Sequence, residues 1–387
     1  MSSLSAVLLP SVGLFAVLCW PFLVAWLLWV SRRTGHVKNL AAVGAIFTIG
    51  ALVLFPSRLD LLAIMSIGVA SCLPLLLFWL PQTELSGAAI STPKGERLPF
   101  LIIGCVLMAL CLSSALAICV FIGAGCVILA WWDGQSTRRA LAAWSMVRLR
   151  LCGVILGILG AALLHEVPNA HAEVTGEILG LVFLIIGLGM MAGLGSSSNQ
   201  TASFVLLDIA LRFAALTLML RLGYYPFARD MMLLAGAIGS VISALFRRRE
   251  DAFLLFATSL ASFAAAIQSP LAFLLLMIAA LLGMGIKWHY QSLKINSFDL
   301  PEWCVIPIFF VALMIIGRDL SPFYLGVMLL SVLLSCRNID FIKGVQHHFV
   351  SCLSLDYFTK IMLFLIGFTT IMGACLMPYS FSVGWHP

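Results

Sequence analysis

The chain has 387 residues, 62% of them hydrophobic and only 10% charged, against roughly 45–50% and 25% in a soluble domain. With a mean hydropathy of +1.11, it has too little polar side chain to cover a water-soluble surface, and disorder and a disulfide framework are excluded as well. The net charge of +6 is scattered, which excludes a nucleic-acid surface and leaves an all-α polytopic membrane protein whose solvent is the lipid bilayer.

A membrane-crossing helix needs about 20 mostly apolar residues. Fourteen segments qualify: 6–30, 39–55, 61–80, 97–112, 114–132, 141–164, 178–195, 202–222, 231–246, 252–267, 270–286, 303–317, 322–336 and 359–377. Two divisions, at Ser113–Ser114 and at Gln268–Pro270, split runs too long for one helix and short for two. Residues 1–5 carry no basic charge, and the first apolar run exceeds a signal-peptide core, so it is expected to stay as a span.

Lysine and arginine give an independent check. With the N-terminus outside, the inner connections hold fourteen Lys and Arg, including Arg32, Arg33, Arg138, Arg139 and Arg247 to Arg249. The outer connections hold three, Arg58, Arg229 and Arg318. This alternation predicts fourteen spans with both termini outside. The connections are short, and 165–177 carries Glu166, Glu173 and Glu177 without Lys or Arg, as suits the outer side. The cysteines, mostly within spans, form no CxxC pair or metal spacing, and the His347–His348 doublet has no third ligand nearby. They read as small packing residues, and no metal or cofactor is expected.

Four stretches carry a further pattern by their order and spacing: GQSTRRALAAWSMVRLRLCGVILGILGAALL (134–164), LVFLIIGLGMMAGLG (181–195), LLDIALRFAALTLMLRL (206–222) and LLAGAIGSVISALFRRREDAFLLFATSLAS (233–262). Together they resemble the antiporter-like membrane subunits of respiratory complex I (NADH-quinone oxidoreductase) and of hydrogenase-4-type formate hydrogenlyase complexes. The matching features are a G-Q-S…A-A-W entry to the sixth helix, a glycine-rich seventh and an eighth closing with Arg. A small-residue helix follows, then a charged turn, here Arg249-Glu250-Asp251, ahead of Leu254-Leu255-Phe256-Ala257-Thr258-Ser259. The resemblance runs from about residue 97 to 335.

It implies one membrane domain over 1–387, in a bacterial inner membrane. A three-helix segment (1–96) would precede two inverted five-helix repeats (97–222 and 231–336) and a C-terminal segment (337–387). Each repeat would contain a broken helix at mid-membrane, where such folds place ion sites. Gly187, Gly189, Gly193 and Gly195 in the seventh span, and Gly317 ahead of Pro322 at the end of the twelfth, are the candidate breaks. Close helix packing is the alternative reading of a glycine-rich span.

The family moves protons along buried Lys, Glu and His, whose ionisation responds to burial and to neighbouring charges. Carried over one at a time, those positions fall at Ala124 (within Val120–Cys126) for the fifth-helix Glu, Ser145 after A-A-W, Met191 for the seventh-helix Lys and Val327 for the twelfth-helix Lys or Glu. The helix after the charged turn offers Ser269 and Phe273, and the family's His-rich segment after the seventh helix is replaced by Gly195-Ser196-Ser197-Ser198-Asn199-Gln200. The proton path is therefore expected to be degenerate.

Two intramembrane charges remain, Asp208 and Arg212, four apart on one face of the eighth span and able to pair. Arginine can hold a charge there but cannot usefully release a proton. The pair reads either as a remnant electrostatic element or as an internal ion pair that makes a buried charge tolerable. Arg148 and Arg150, two turns into the sixth span, are expected to snorkel to the headgroups or to meet a partner subunit or an anionic lipid. Arg318–Asp319 reads as a surface pair.

The resemblance thus implies a non-catalytic membrane subunit of a respiratory oxidoreductase complex, bound to other membrane-arm subunits. It would serve assembly, or proton translocation assisted by water and partners. The alternative is a secondary transporter for a neutral or hydrophobic solute, using backbone groups at broken helices. An enzyme acting on lipid-linked substrates would have to work through His165, Glu166, His171, Glu173 and Glu177 in one short loop. No haem, iron–sulfur or flavin signature supports a redox centre within the chain.

Overall fold

The computed structural model describes residues 18–31, 37–54, 61–73, 77, 97–112, 114–134, 140–165, 173–194, 202–245, 249–292, 305–337 and 371. All regular structure among these residues is helical. Thirteen α-helices run in chain order: α1 (Trp20–Ser31), α2 (Val37–Leu54), α3 (Leu61–Ser71), α4 (Leu98–Cys111), α5 (Ala115–Asp133), α6 (Ala140–His165), α7 (Glu173–Met191), α8 (Ala202–Leu222), α9 (Pro226–Leu245), α10 (Arg249–Ala266), α11 (Pro270–Ser292), α12 (Ile306–Asp319) and α13 (Pro322–Arg337). They follow the first thirteen apolar segments. The fourteenth, apart from Ile371, lies outside the described residues. Among the described residues, Ala115–Trp132 and Ala143–Leu164 are long and apolar enough to cross a membrane, and seven other helices are apolar over shorter runs.

Both divisions inferred from sequence are helix ends with identifiable chemistry. Leu112 and Ser114 are extended at the α4–α5 junction. From the last turn of α8, Arg221 donates to the carbonyls of Leu112 (2.7 Å) and Leu110 (3.2 Å), so a cation satisfies the open C-terminus of α4. At the α10–α11 junction Gln268 takes a φ of +53°, and the Ser269 hydroxyl accepts from the Ala272 amide (3.5 Å) as α11 starts at Pro270.

Burial places α8 at the centre. It is buried from Val205 to Met219 on every face, as a helix apolar all round must be, and packs against α4, α5, α7, α10 and α11. Edge-on ring pairs tie it outward: Phe213 meets Phe273 of α11 at 5.5 Å, and Phe253 of α10 meets Phe309 of α12 at 5.6 Å. The neighbour order recurs along the chain. α4 packs on α5, α5 on α6, α6 on α7, and α8 returns to α4. Likewise α9 packs on α10, α10 on α11, α11 on α12, and α13 returns to α9.

The closest pair is α6 with α7, and glycine makes it so. Gly153, Gly157 and Gly160 on α6 face Gly180 and Gly187 on α7, backbone against backbone. A Cβ on Gly187 would stand 2.5 Å from the Gly157 amide nitrogen and 2.6 Å from the Gly153 carbonyl oxygen. The expected break at Gly187 and Gly189 is thus corrected: α7 runs unbroken to Met191, and Gly187 serves close helix packing. Gly189 faces open space, with Leu194 Cδ1 at 3.6 Å from its would-be Cβ. Gly195 lies outside the described residues. On α12 the helix also continues through Gly317, and the chain breaks at Leu320–Ser321, before Pro322.

Adding a methyl group against rigid backbone should force α6 and α7 apart. Gly187→Ala is expected to destabilise the purified protein by about 1–3 kcal/mol, whereas Gly189→Ala should be neutral or slightly stabilising. Thermal unfolding of both variants in one detergent checks the contrast.

Candidate functional site

Asp208, six residues into α8, is completely buried. Its Oδ2 accepts from Arg212 Nε at 2.8 Å, the i,i+4 geometry of one helix face. Its Oδ1 is ion-paired with Arg150 Nη2 from α6. Both guanidinium groups are as buried as the carboxylate, at 1% exposure. Arg150 also donates to Cys126 Sγ of α5 at 3.7 Å, and Arg212 to the Gly193 carbonyl at 3.4 Å. One carboxylate thus gathers α5, α6, α8 and the end of α7. Arg212 lies about 15 Å from either end of its helix at 1.5 Å per residue, so the cluster sits at mid-height in the bundle.

The chain builds the Gly193 acceptor by a specific turn. The Gly193 amide bonds the Met190 carbonyl (3.1 Å) and the Leu194 amide reaches back to the Gly189 carbonyl (3.0 Å). These are the two bonds of a Schellman cap. The cap puts Gly193 at a φ of +72°, where glycine is the residue of least strain. Gly193 therefore terminates α7, with its carbonyl within reach of Arg212.

Arg150 is the residue that sequence reasoning misplaced. Snorkelling fits Arg148, which is exposed, but Arg150 points inward. The signal was present in the helical period. Leu141, Ser145, Arg148, Cys152, Ile155 and Leu159 fall on the exposed stripe of α6, and Val147, Arg150, Val154, Gly157 and Ala161 on the packed one.

The positions carried over from the family do not converge. Ala124 and Ser145 are exposed, Val327 is half-buried, and Met191 is buried at the end of α7, beside Gly157 and Cys119. On α5 it is Cys126, two residues beyond Ala124, that faces the charges. Phe273 is committed to the Phe213 ring pair, and Ser269 to the start of α11. The 166–172 loop and the His347–His348 doublet lie outside the described residues. Among the described residues, no three His, Cys, Asp or Glu side chains gather as a metal site.

Two arginines against one aspartate leave one formal positive charge in the interior. Such a group binds helices together and repels cations, and its one carboxylate has on either side an arginine, which stays charged and does not hand a proton on. No protein-family model matches the chain, and no curated protein is significantly similar to it.

Removing the shared carboxylate would strand two buried cations. Asp208→Asn should therefore destabilise the protein by about 3–5 kcal/mol. The joint replacement R150M/D208L/R212M, which removes all charge and keeps apolar volume, should retain or raise the wild-type melting temperature. Melting curves of the two proteins in the same detergent decide this. A triple variant as unstable as Asp208→Asn would assign the cluster's importance to shape rather than charge.

Proposed function

We propose that this chain is a multi-pass membrane protein of about fourteen helices, with both termini outside, and a divergent relative of the antiporter-like subunits of complex I-like and hydrogenase-4-like assemblies. In that setting it acts as a structural or assembly subunit of the membrane arm and does not by itself conduct protons. The observation that carries the reading is the inventory of buried charge. Among the side chains that the structure describes, the buried ionic ones are Arg150, Asp208 and Arg212. A proton relay through a bilayer needs a chain of groups that can both take and release a proton; arginine is not one, and Asp208 is a single carboxylate held between two arginines.

Three further observations support the membrane part. The outward surface is apolar, with Trp29 at 64%, Ile46 at 70% and Leu141 at 84% exposure. Surface of this kind in a monomer marks contact with lipid or protein. The turns after α8, α10 and α12, all counted as outer connections from Lys and Arg, lie around one cavity. Arg221 at the end of α8 reaches the end of α4, another junction counted as outer. The recurrence of neighbour order in α4–α8 and α9–α13 supports the two-repeat architecture implied by the resemblance.

Reconstitution gives the direct test. Proteoliposomes holding the purified chain should dissipate an imposed pH gradient no faster than empty vesicles, with or without sodium. Mild solubilisation of native membranes should bring down other membrane-arm subunits with it. Recovery as a lone monomer with brisk proton or sodium exchange would overturn the proposal.

A further inference from the structure

At one end of the bundle the α8–α9, α10–α11 and α12–α13 turns meet around an open cavity of about 430 Å³. Its polar lining comes from Arg229 and Asp230 near the start of α9, with Gln268, Ser321 and the tyrosines Tyr224 and Tyr324. Arg229 and Asp230 are both exposed, and neither is committed to an ion pair with another described residue. The cavity thus presents one cation and one anion on adjacent residues, with amide and hydroxyl groups around them. Helices α9, α11 and α13 all begin at this end, each on a proline (Pro226, Pro270 and Pro322). Their positive ends add to Arg229 in attracting negative charge.

The surroundings of the mouth are apolar. Tyr224 (69%), Tyr225, Phe227 and Phe323 (72%) are exposed there, and amphipathic rings of this kind settle at the level of lipid headgroups. From Phe227 an exposed apolar stripe continues down α9 through Leu234, Ile238 and Val241, which the helical period places on one face.

We propose that this cavity binds the headgroup of a zwitterionic phospholipid, a phosphate diester carrying a primary ammonium group. The phosphate lies on Arg229, the ammonium on Asp230, and the acyl chains run along the α9 stripe. Charge complementarity selects this occupant. A headgroup with only negative charge meets Asp230, and a simple cation meets Arg229 and three helix starts. The volume falls within the range of small-molecule sites, and the apolar stripe beginning at the mouth calls for a ligand with chains. The inference rests on the bilayer part of the preceding section and on nothing said there about a respiratory complex. Carbonate extraction of native membranes tests that bilayer part separately.

The experiment uses the full chain, purified in maltoside detergent and stripped of lipid. It is melted with added phosphatidylethanolamine, phosphatidylglycerol or soluble glycerophosphoethanolamine. Phosphatidylethanolamine at tenfold its dissociation constant should raise the melting temperature by about 2 °C. Arg229→Gln and Asp230→Asn should each weaken its binding by about tenfold without moving the lipid-free melting point, and Glu177→Gln, exposed on α7, should change nothing. Equal stabilisation by phosphatidylglycerol, equal stabilisation by the soluble headgroup at the same concentration, or an undiminished shift in both cavity variants would overturn the proposal.

Discussion

One carboxylate between two guanidinium groups is the constraint around which the interior is organised. Among the described residues, whose core is otherwise apolar side chains and hydroxyls, Asp208 accepts from Arg212 on its own helix and pairs with Arg150, which reaches it from α6. The remaining donors reach a thiol on α5 and the carbonyl that closes α7. The energetics are asymmetric. A complete buried ion cluster adds little net stability over an apolar core, while an incomplete one is strongly unfavourable. The cluster therefore fixes which helices are neighbours, and at what height, more than it deepens the folded state.

The hydroxyl groups show the contrast with fixed charge. Thr217, Thr258 and Ser259 donate to carbonyls one turn back on their own helices, so they enter the apolar interior at little expense. Others cross between helices, such as Ser262 to the Met232 carbonyl and Ser331 to Ser240, and these are few among the described residues. A bundle with so few polar cross-links relies on shape to set its contacts, and the α6–α7 glycine seam supplies it. Backbone approaches backbone there in a way that no larger residue would permit. Seam and charge cluster are carried on one stripe of α6, so the same helix is positioned by sterics on one neighbour and by electrostatics on another.

Much of the architecture was legible in the sequence because hydrophobic run length and punctuation are local signals. The divisions at Ser114 and Pro270 could be read from a serine and a proline without any tertiary information. The Asp208–Arg212 pair followed from a spacing of four. What run length alone does not separate is which side of α6 each arginine takes, since Arg148 and Arg150 look alike in a hydropathy window and differ only by their angle around the helix, which the 3.6-residue period carries. The glycines of α7 were ambiguous for a related reason. Glycine permits both a bend and a close approach, and only the partner helix decides between them. Gly187 resolves to an approach and Gly193 to a cap. The Val120–Cys126 window was ambiguous in the same manner: a two-residue offset on a helix moves a side chain to the opposite face, so Ala124 is exposed while Cys126 points inward.

The sharing of Asp208 also sets an order of events during biosynthesis. Arg150 is translated about sixty residues before the carboxylate that neutralises it, an interval of roughly 3–12 seconds at 5–20 residues per second. The α6–α7 hairpin ends at Met191, ahead of that carboxylate, and can zip along its glycines once both helices have left the ribosome. The Arg150 guanidinium must meanwhile stay solvated. Final seating of α6 thus waits on α8, which makes the eighth helix, just past the midpoint of the chain, the one that commits everything before it.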